Sequence, residues 1–284
     1  MIVPRTAPAA PDIGGHYDEL DGLYREVWGE HVHHGLFTRR RQPPAEAAWA
    51  LARRVVEAAG VGAGDRACDV GCGYGATARL AAGAGVHVVG LTLSVAQAAV
   101  AARQPGPPGV PQPEVVVRDW LANGLPDARF DAAWAVESTT HMADRQRAFD
   151  EVARVLRPGG RLVLCVWMAS PSPTPRQVRW LLEPICREGR LAGLGTAAEN
   201  RAWMETAGLR VEQEEDWSRA VAPTWGHVAR RVVWGLATDA TYRRYLRDGR
   251  NQDRAFALTV GRIWAAYRVG ALRYGFFVAR KPGA

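Results

Sequence analysis

A chain of 284 residues, 48% hydrophobic and 23% charged, carries enough apolar surface for one large α/β domain or two small ones, which excludes a disordered chain. Its longest apolar runs, such as Leu162 to Ala169, fall far short of the roughly 20 residues that span a bilayer, and its start lacks the pattern of a secretory signal, so a cytoplasmic enzyme without membrane insertion is expected. The net charge of +7 invites nucleic acid, but Lys281 is the only lysine, and the arginines cluster only at Arg39 to Arg41 and at Arg243, Arg244, Arg247 and Arg250; that scatter reads as a solvated surface, and no nucleic acid is expected.

In chain order, residues 1–15 are rich in proline and alanine and are expected to form a disordered tail. Residues 16–60 hold an aromatic, histidine-bearing segment from Tyr17 to Gly35 and then a helix from Ala45 to Ala59. Over 61–168, β and α patterns alternate, which implies a parallel sheet with crossover helices. Ala67 to Val70, Val86 to Leu91, Val115 to Val117, Ala132 to Val136 and Leu162 to Val166 read as its strands. Ala148, Phe149, Val152, Val155 and Leu156 recur at helical spacing. Arg157-Pro158-Gly159-Gly160 is expected to end that helix in a turn.

Beyond the sheet, residues 169–250 open on a proline-rich stretch, Ser170 to Pro175. Trp180, Trp203, Trp217, Trp225 and Trp234 follow, with Trp264 later. Together the tryptophans suggest an apolar cap over a site. Leu209 to Glu214 and Leu272 to Ala279 are further strand candidates, the latter within a closing helix and strand over 251–284.

The chemistry begins at Asp69-Val70-Gly71-Cys72-Gly73-Tyr74-Gly75. An apolar strand runs into closely spaced glycines and then a helix, so backbone amides can approach a ligand at the helix N-terminus. Gly71, Gly73 and Ala76 also satisfy a dinucleotide pattern, but that chemistry wants an acid on the ribose about 20 positions on. Gly90 to Ser94 at the end of the next strand contain none. Cys68, Cys72, Cys165 and Cys186 form no CxxC pair and no zinc-type spacing with histidine, so free thiols and no metal are expected.

The ordered set DVGCGYG, GLTLSVAQ, RDW, VESTTHM and VLRPGGRL resembles class I S-adenosylmethionine-dependent methyltransferases. More narrowly, it is similar to the branch holding tocopherol methyltransferases, sterol methyltransferases and mycolic acid cyclopropane synthases. WGEHVHHG near the start and YRVGALRYGFFVARKP at the end resemble the tocopherol methyltransferases and bacterial natural-product relatives. The resemblance covers residues 17–282 and is weakest over about 170–250, where substrate choice is usually decided.

It implies an α/β, Rossmann-like methyltransferase fold over 16–284, with a seven-stranded, mostly parallel sheet and an antiparallel last strand. Residues 16–60 would form an N-terminal lid and helix, 61–168 the cofactor-binding core, and 169–250 a helical cap insertion for substrate. The cofactor would be S-adenosyl-L-methionine. Gly71, Gly73 and Gly75 would lie against it, with Asp69 near its amino-acid portion. Thr92 and Gln97 would stand in for the missing acid on the ribose, Asp119 would face the adenine amino group, and Trp120 would pack near the ring. The lid would fold over the cofactor, with His33 or His34 contacting its carboxylate or closing the pocket, and with Trp28 and His34 as the candidates for substrate.

Methyl transfer needs alignment, exclusion of water and, for a hydroxyl or amine acceptor, a base. Glu137 and His141 follow the fourth strand, at the sheet edge where ligands of doubly wound folds bind. An imidazole titrates near pH 6.5, so His141 is the better base, with Glu137 orienting it or contacting the ligands. The expected function is methylation of a small, largely apolar or aromatic molecule in secondary-metabolite biosynthesis, with carbon, oxygen and nitrogen acceptors all open. The alternative is a methyltransferase-like fold acting as a non-methylating cyclase or a ligand-binding module. A homo-oligomer stays open.

Overall fold

The computed structural model describes residues 1–6, 8–104, 109–110, 112–238 and 256–283; the group Arg243, Arg244, Arg247 and Arg250 lies outside the described residues. Seven strands form one sheet: β1 Arg66–Val70, β2 His87–Thr92, β3 Glu114–Val117, β4 Phe130–Val136, β5 Leu156–Ala169, β6 Arg210–Asp216 and β7 Leu272–Arg280. Their spatial order is β3-β2-β1-β4-β5-β7-β6. The first five run parallel, and β7 is antiparallel to both β5 and β6, as the sequence implied for the last strand.

Both faces of this sheet are covered, which is why its inner strands read as apolar runs rather than as alternation. On one face Leu162, Leu164 and Phe277 share a core with Phe149 of helix Arg145–Val155; on the other Trp134 and Phe276 share one with Leu51 and Val55 of helix Pro44–Ala59. Chain order reverses at β1, which pairs with β2 on one side and β4 on the other. At such a switch point the crossover helices diverge and leave a crevice outside the strand ends.

The turn expected at Arg157 to Gly160 is instead part of β5. Leu156 pairs with Phe130 and Arg161 with Ala132, so the intervening residues bulge out of the ladder. Gly159 N–H donates to Lys281 O and Lys281 N–H to Gly160 O, each at 2.9 Å, so the chain end supplies partners that a turn would have found locally.

Part of the stretch expected as a disordered tail takes regular structure. Ile2 and Leu194 exchange backbone hydrogen bonds of 2.8 Å, and a helix Ala10–Glu19 buries Ile13. Composition hid both, because a two-residue pairing with a distant loop leaves no periodic signal. Leu20 and Tyr24, in and beside that helix and the next, Asp21–Trp28, share a third core with Leu182, Ile185 and Trp225 of the region expected as a cap and with Ile263 of helix Phe256–Arg268. The tryptophans divide: Trp225 is buried in that core, Trp217 stacks on Phe276, and Trp180, Trp234 and Trp264 are exposed. Of the six tryptophans expected to build an apolar cap, only Trp225 is among the buried residues of this third core. Among the described residues, no helix is long and apolar enough to cross a membrane.

Candidate active site

A cavity of about 300 Å³ lies at the carboxyl edge of the sheet, between glycine loop, lid and cap. At the glycine-loop end, Gly71 has φ +77°, and a Cβ there would fall 2.3 Å from Ser138 Cβ, so only glycine lets the loop pack against the turn after β4. Gly73, at φ +55°, is different: a Cβ would meet nothing nearer than Gln97 Nε2 at 4.0 Å. The loop therefore leaves an open cradle beside its own backbone, ahead of helix Ala76–Gly83.

Thr92 Oγ1 donates to Gln97 Oε1 at 2.8 Å and accepts from Ser94 N–H at 3.2 Å. This fixes the amide and leaves Gln97 Nε2 as the donor directed toward the glycine loop. Asp119 Oδ1 caps the short turn Trp120–Ala122 by accepting from Leu121 N–H at 2.9 Å, and Trp120 Nε1 donates to Ala148 O at 3.0 Å. Thr92, Gln97, Asp119 and Trp120 all line the cavity with Gly71 and Gly73. Asp69 and Gly75 do not. Asp69 is buried behind the loop, its Oδ2 meets no partner among the described residues, and burial pushes its carboxyl up to about 7. Gly75, at φ +71°, is the left-handed residue that starts the helix. An open cradle, an oriented amide and a carboxylate at the far side suit a nucleoside with an amino-acid tail.

Glu137 does not orient His141 as one expectation had it. Its Oε1 accepts from His34 N–H (2.8 Å), His34 Nδ1 (2.9 Å) and Tyr274 Oη (2.8 Å), and its Oε2 accepts from Trp167 Nε1 (2.6 Å). Burial works to raise its carboxyl, but the His34 imidazole and these donors prevail and hold it down to about 2. Glu137 also sits at φ +59°, a conformation costly for a side-chain-bearing residue and tolerated where surroundings over-determine it. With its oxygens so occupied, Glu137 is the pin that fastens the lid to the sheet edge.

His34 is the other half of that pin. Trp225 Nε1, which can only donate, lies 2.6 Å from His34 Nε2, and Tyr267 Oη lies 3.0 Å from it. Nε2 is thus the acceptor, and Nδ1 carries the proton given to Glu137. His33 Nδ1 donates to His34 O at 2.8 Å, and its Nε2 meets His31 Nδ1 at 3.1 Å. Burial lowers the titration of both, His31 to about 3. His33 lines the cavity, and both its nitrogens are engaged by His31 and His34.

His141 ends a single turn, Thr139–His141, after β4. Its Nδ1 lies 2.9 Å from the carbonyl oxygen of Arg190, an acceptor only, so Nδ1 is protonated and Nε2 is the basic nitrogen. Nε2 receives the Tyr17 hydroxyl at 3.0 Å. Burial lowers the imidazole to about 4, whereas burial and then the Glu137 charge push the Tyr17 hydroxyl up. Both members of the pair are neutral at ordinary pH and line the cavity, as do Trp28, Glu137 and His34. Sequence reasoning missed Tyr17, Tyr267, Tyr274 and the Arg190 carbonyl. Tyr17 opens the aromatic segment and Tyr267 and Tyr274 lie in the closing motif, but nothing local marks their partners.

A Rossmann-like sheet with an antiparallel seventh strand, carrying a glycine cradle at its switch point, defines the class I methyltransferase fold. Residues 68–164 match the model described as a methyltransferase domain. The chain is 34% identical over 98% of its length to the 27-O-demethylrifamycin SV methyltransferase of Amycolatopsis mediterranei, covering 99% of that protein. It is 31% identical over 95% of its length to a probable tocopherol O-methyltransferase of Oryza sativa, covering 78% of that protein. Among solved structures, the [4+2]-cyclase SpnF superimposes with a TM-score of 0.80 at 27% identity, covering 99% of each chain. This chain belongs to the S-adenosyl-L-methionine-dependent methyltransferases, and S-adenosyl-L-methionine is its cofactor.

Proposed function

We propose that the protein methylates a hydroxyl group on a small, largely apolar molecule of secondary metabolism, with His141 Nε2 as proton acceptor and Tyr17 as the link to the acceptor oxygen. The observation that carries this is the cavity-facing chain Tyr17 Oη, His141 Nε2, His141 Nδ1, Arg190 O. S-adenosyl-L-methionine supplies an electrophilic methyl whose sulfonium charge disperses in an in-line displacement. Gly71, Gly73, Thr92, Gln97, Asp119 and Trp120 would hold it, with Asp69 and Gly75 shaping the loop from behind.

As the acceptor oxygen forms its new bond, its proton passes to Tyr17 Oη while Tyr17 gives its own to His141 Nε2. Concerted passage avoids a phenolate, which burial and Glu137 disfavour. The lid (16–60) and the described part of the cap (169–238) would exclude water, and Tyr24, Trp28, Ile185, Leu191, Trp225 and Ile263 give the far wall its apolar character, matched to an apolar scaffold. Glu137 acts on geometry through His34 rather than on the proton. The names of two relatives, a 27-O-demethylrifamycin SV methyltransferase and a probable tocopherol O-methyltransferase, support an oxygen acceptor.

The test is to incubate the protein with methyl-labelled S-adenosyl-L-methionine and metabolite extracts from cells with and without the gene. Label on an oxygen of one apolar metabolite is expected. Label on carbon overturns the hydroxyl reading, and a metabolite consumed with no label transferred favours the non-methylating reaction of a SpnF-like protein. Tyr17→Phe should slow transfer about 10-fold or more, as removal of a proton relay does, while leaving S-adenosyl-L-homocysteine affinity within about twofold.

A further inference from the structure

The orientation of His141 depends on a carbonyl from the cap, so the distance between its turn and the cap loop must be held. One side chain spans both. Arg145 donates from Nη1 to Met142 O at 2.6 Å and from Nη2 to Thr140 O at 2.9 Å, the residues on either side of His141. The same Nη2 donates to Gly193 O at 2.7 Å, across in the cap. Ala192 N–H donates to Thr140 O at 2.9 Å and closes the junction. Arg190, whose carbonyl receives His141 Nδ1–H, starts this cap loop at φ +53°, a left-handed conformation unfavourable for arginine.

Arg145 is a poor choice for its place on stability grounds alone. It is 5% exposed, it makes no ion pair among the described residues, and burial pulls its guanidinium down to about 10. It is also the first residue of helix Arg145–Val155, where the helix dipole disfavours a cation. A planar fork that grips three carbonyls from two segments is what a guanidinium offers and an ammonium or an apolar side chain does not.

We propose that Arg145 is a positioning residue for His141: it clamps the turn Thr139–His141 to the cap loop so that the Arg190 carbonyl holds Nδ1–H and Nε2 is left to Tyr17 and the cavity. This rests on the reading of His141 as proton acceptor, but its test does not require turnover. The groups facing His141 are the Tyr17 hydroxyl, His16, Glu137, the Arg145 cation and the Arg190 carbonyl.

The experiment is nitrogen-15 NMR of histidine-labelled protein bound to S-adenosyl-L-homocysteine, with the His141 ring assigned by its absence in H141A. Wild type is expected to show one tautomer, protonated at Nδ1. In Arg145→Met that preference should be lost to exchange between tautomers. Arg145→Lys keeps the charge and loses the fork, and the same loss is expected. Either variant losing the single tautomer while still binding S-adenosyl-L-homocysteine supports the proposal. Folded variants with the wild-type pattern overturn it, as does failure of both to bind S-adenosyl-L-homocysteine, which would make the clamp a general structural element. Failure of the base reading would appear elsewhere, as unimpaired methyl transfer by H141A.

Discussion

The glycine-loop wall of the cavity is made within the stretch Gly71 to Trp120, on consecutive strand ends, whereas the lid and cap wall joins residues more than a hundred positions apart. Thr92 and Gln97 are 5 positions apart. Tyr17 is 124 positions from His141, His34 is 103 from Glu137 and 191 from Trp225, and Tyr267 is 233 from His34. The local wall is the one we propose holds the cofactor, and strand, glycines and helix start suffice to write it. The distant wall decides how the lid closes and what enters, and each of its contacts waits on the packing of several elements.

The contrast predicts that damage on the local wall abolishes cofactor binding and that damage on the distant wall spares it. The largest effect is expected for Gly73→Val, which places a branched side chain in the cradle at a positive φ. Calorimetry should find no measurable S-adenosyl-L-homocysteine binding to a folded protein; retained affinity would remove the loop from the site. Next is Glu137→Gln, which weakens charge-assisted bonds from lid and sheet. A loss of about 2 kcal/mol in denaturant unfolding is expected, with methyl transfer falling in parallel and S-adenosyl-L-homocysteine affinity changing less.

A smaller effect concerns acid. His141 and His31 are held below their unfolded titration near 6.5, to about 4 and about 3. The unfolded chain therefore binds more protons than the folded one in that window, and stability declines as pH falls below about 6.5. Glu137, depressed to about 2, contributes stability that is fully present above its unfolded value and is lost progressively as pH falls from there through about 2. Denaturant titrations should show a slope starting well above the carboxylate range, reduced in a His31→Phe variant. Smallest is Tyr267→Phe, which removes one bond to His34 and should cost about 1 kcal/mol.

How far the sequence could be read follows the same division. All seven strands were legible, β1, β2, β4, β5 and β7 because both faces are buried and β3 and β6 as short edge runs, and the glycine loop because its glycines, Thr92, Gln97 and Asp119 stand in fixed order. Gly75 and Asp69 were placed at the ligand by the same motif, yet spacing cannot say whether a residue faces the cavity or backs the loop. Glu137 and His141 were legible as residues at a sheet edge. Their division of labour was not, because it depends on a carbonyl at Arg190 and on hydroxyls at Tyr17 and Tyr274. The tail expected over 1–15 failed for the same reason: its partner, Leu194, is a backbone group.

The most direct test of proton transfer to His141 is the pH dependence of single-turnover methylation by wild type and His141→Asn, using the acceptor that labelling identifies. In wild type the rate should be level near neutrality and fall only as pH drops through about 4, where the buried imidazole takes a second proton. His141→Asn, which can still donate to Arg190 but cannot accept the proton, should be roughly 100-fold slower at neutral pH and should lack that acidic limb. A variant that transfers methyl at close to the wild-type rate would contradict the assignment.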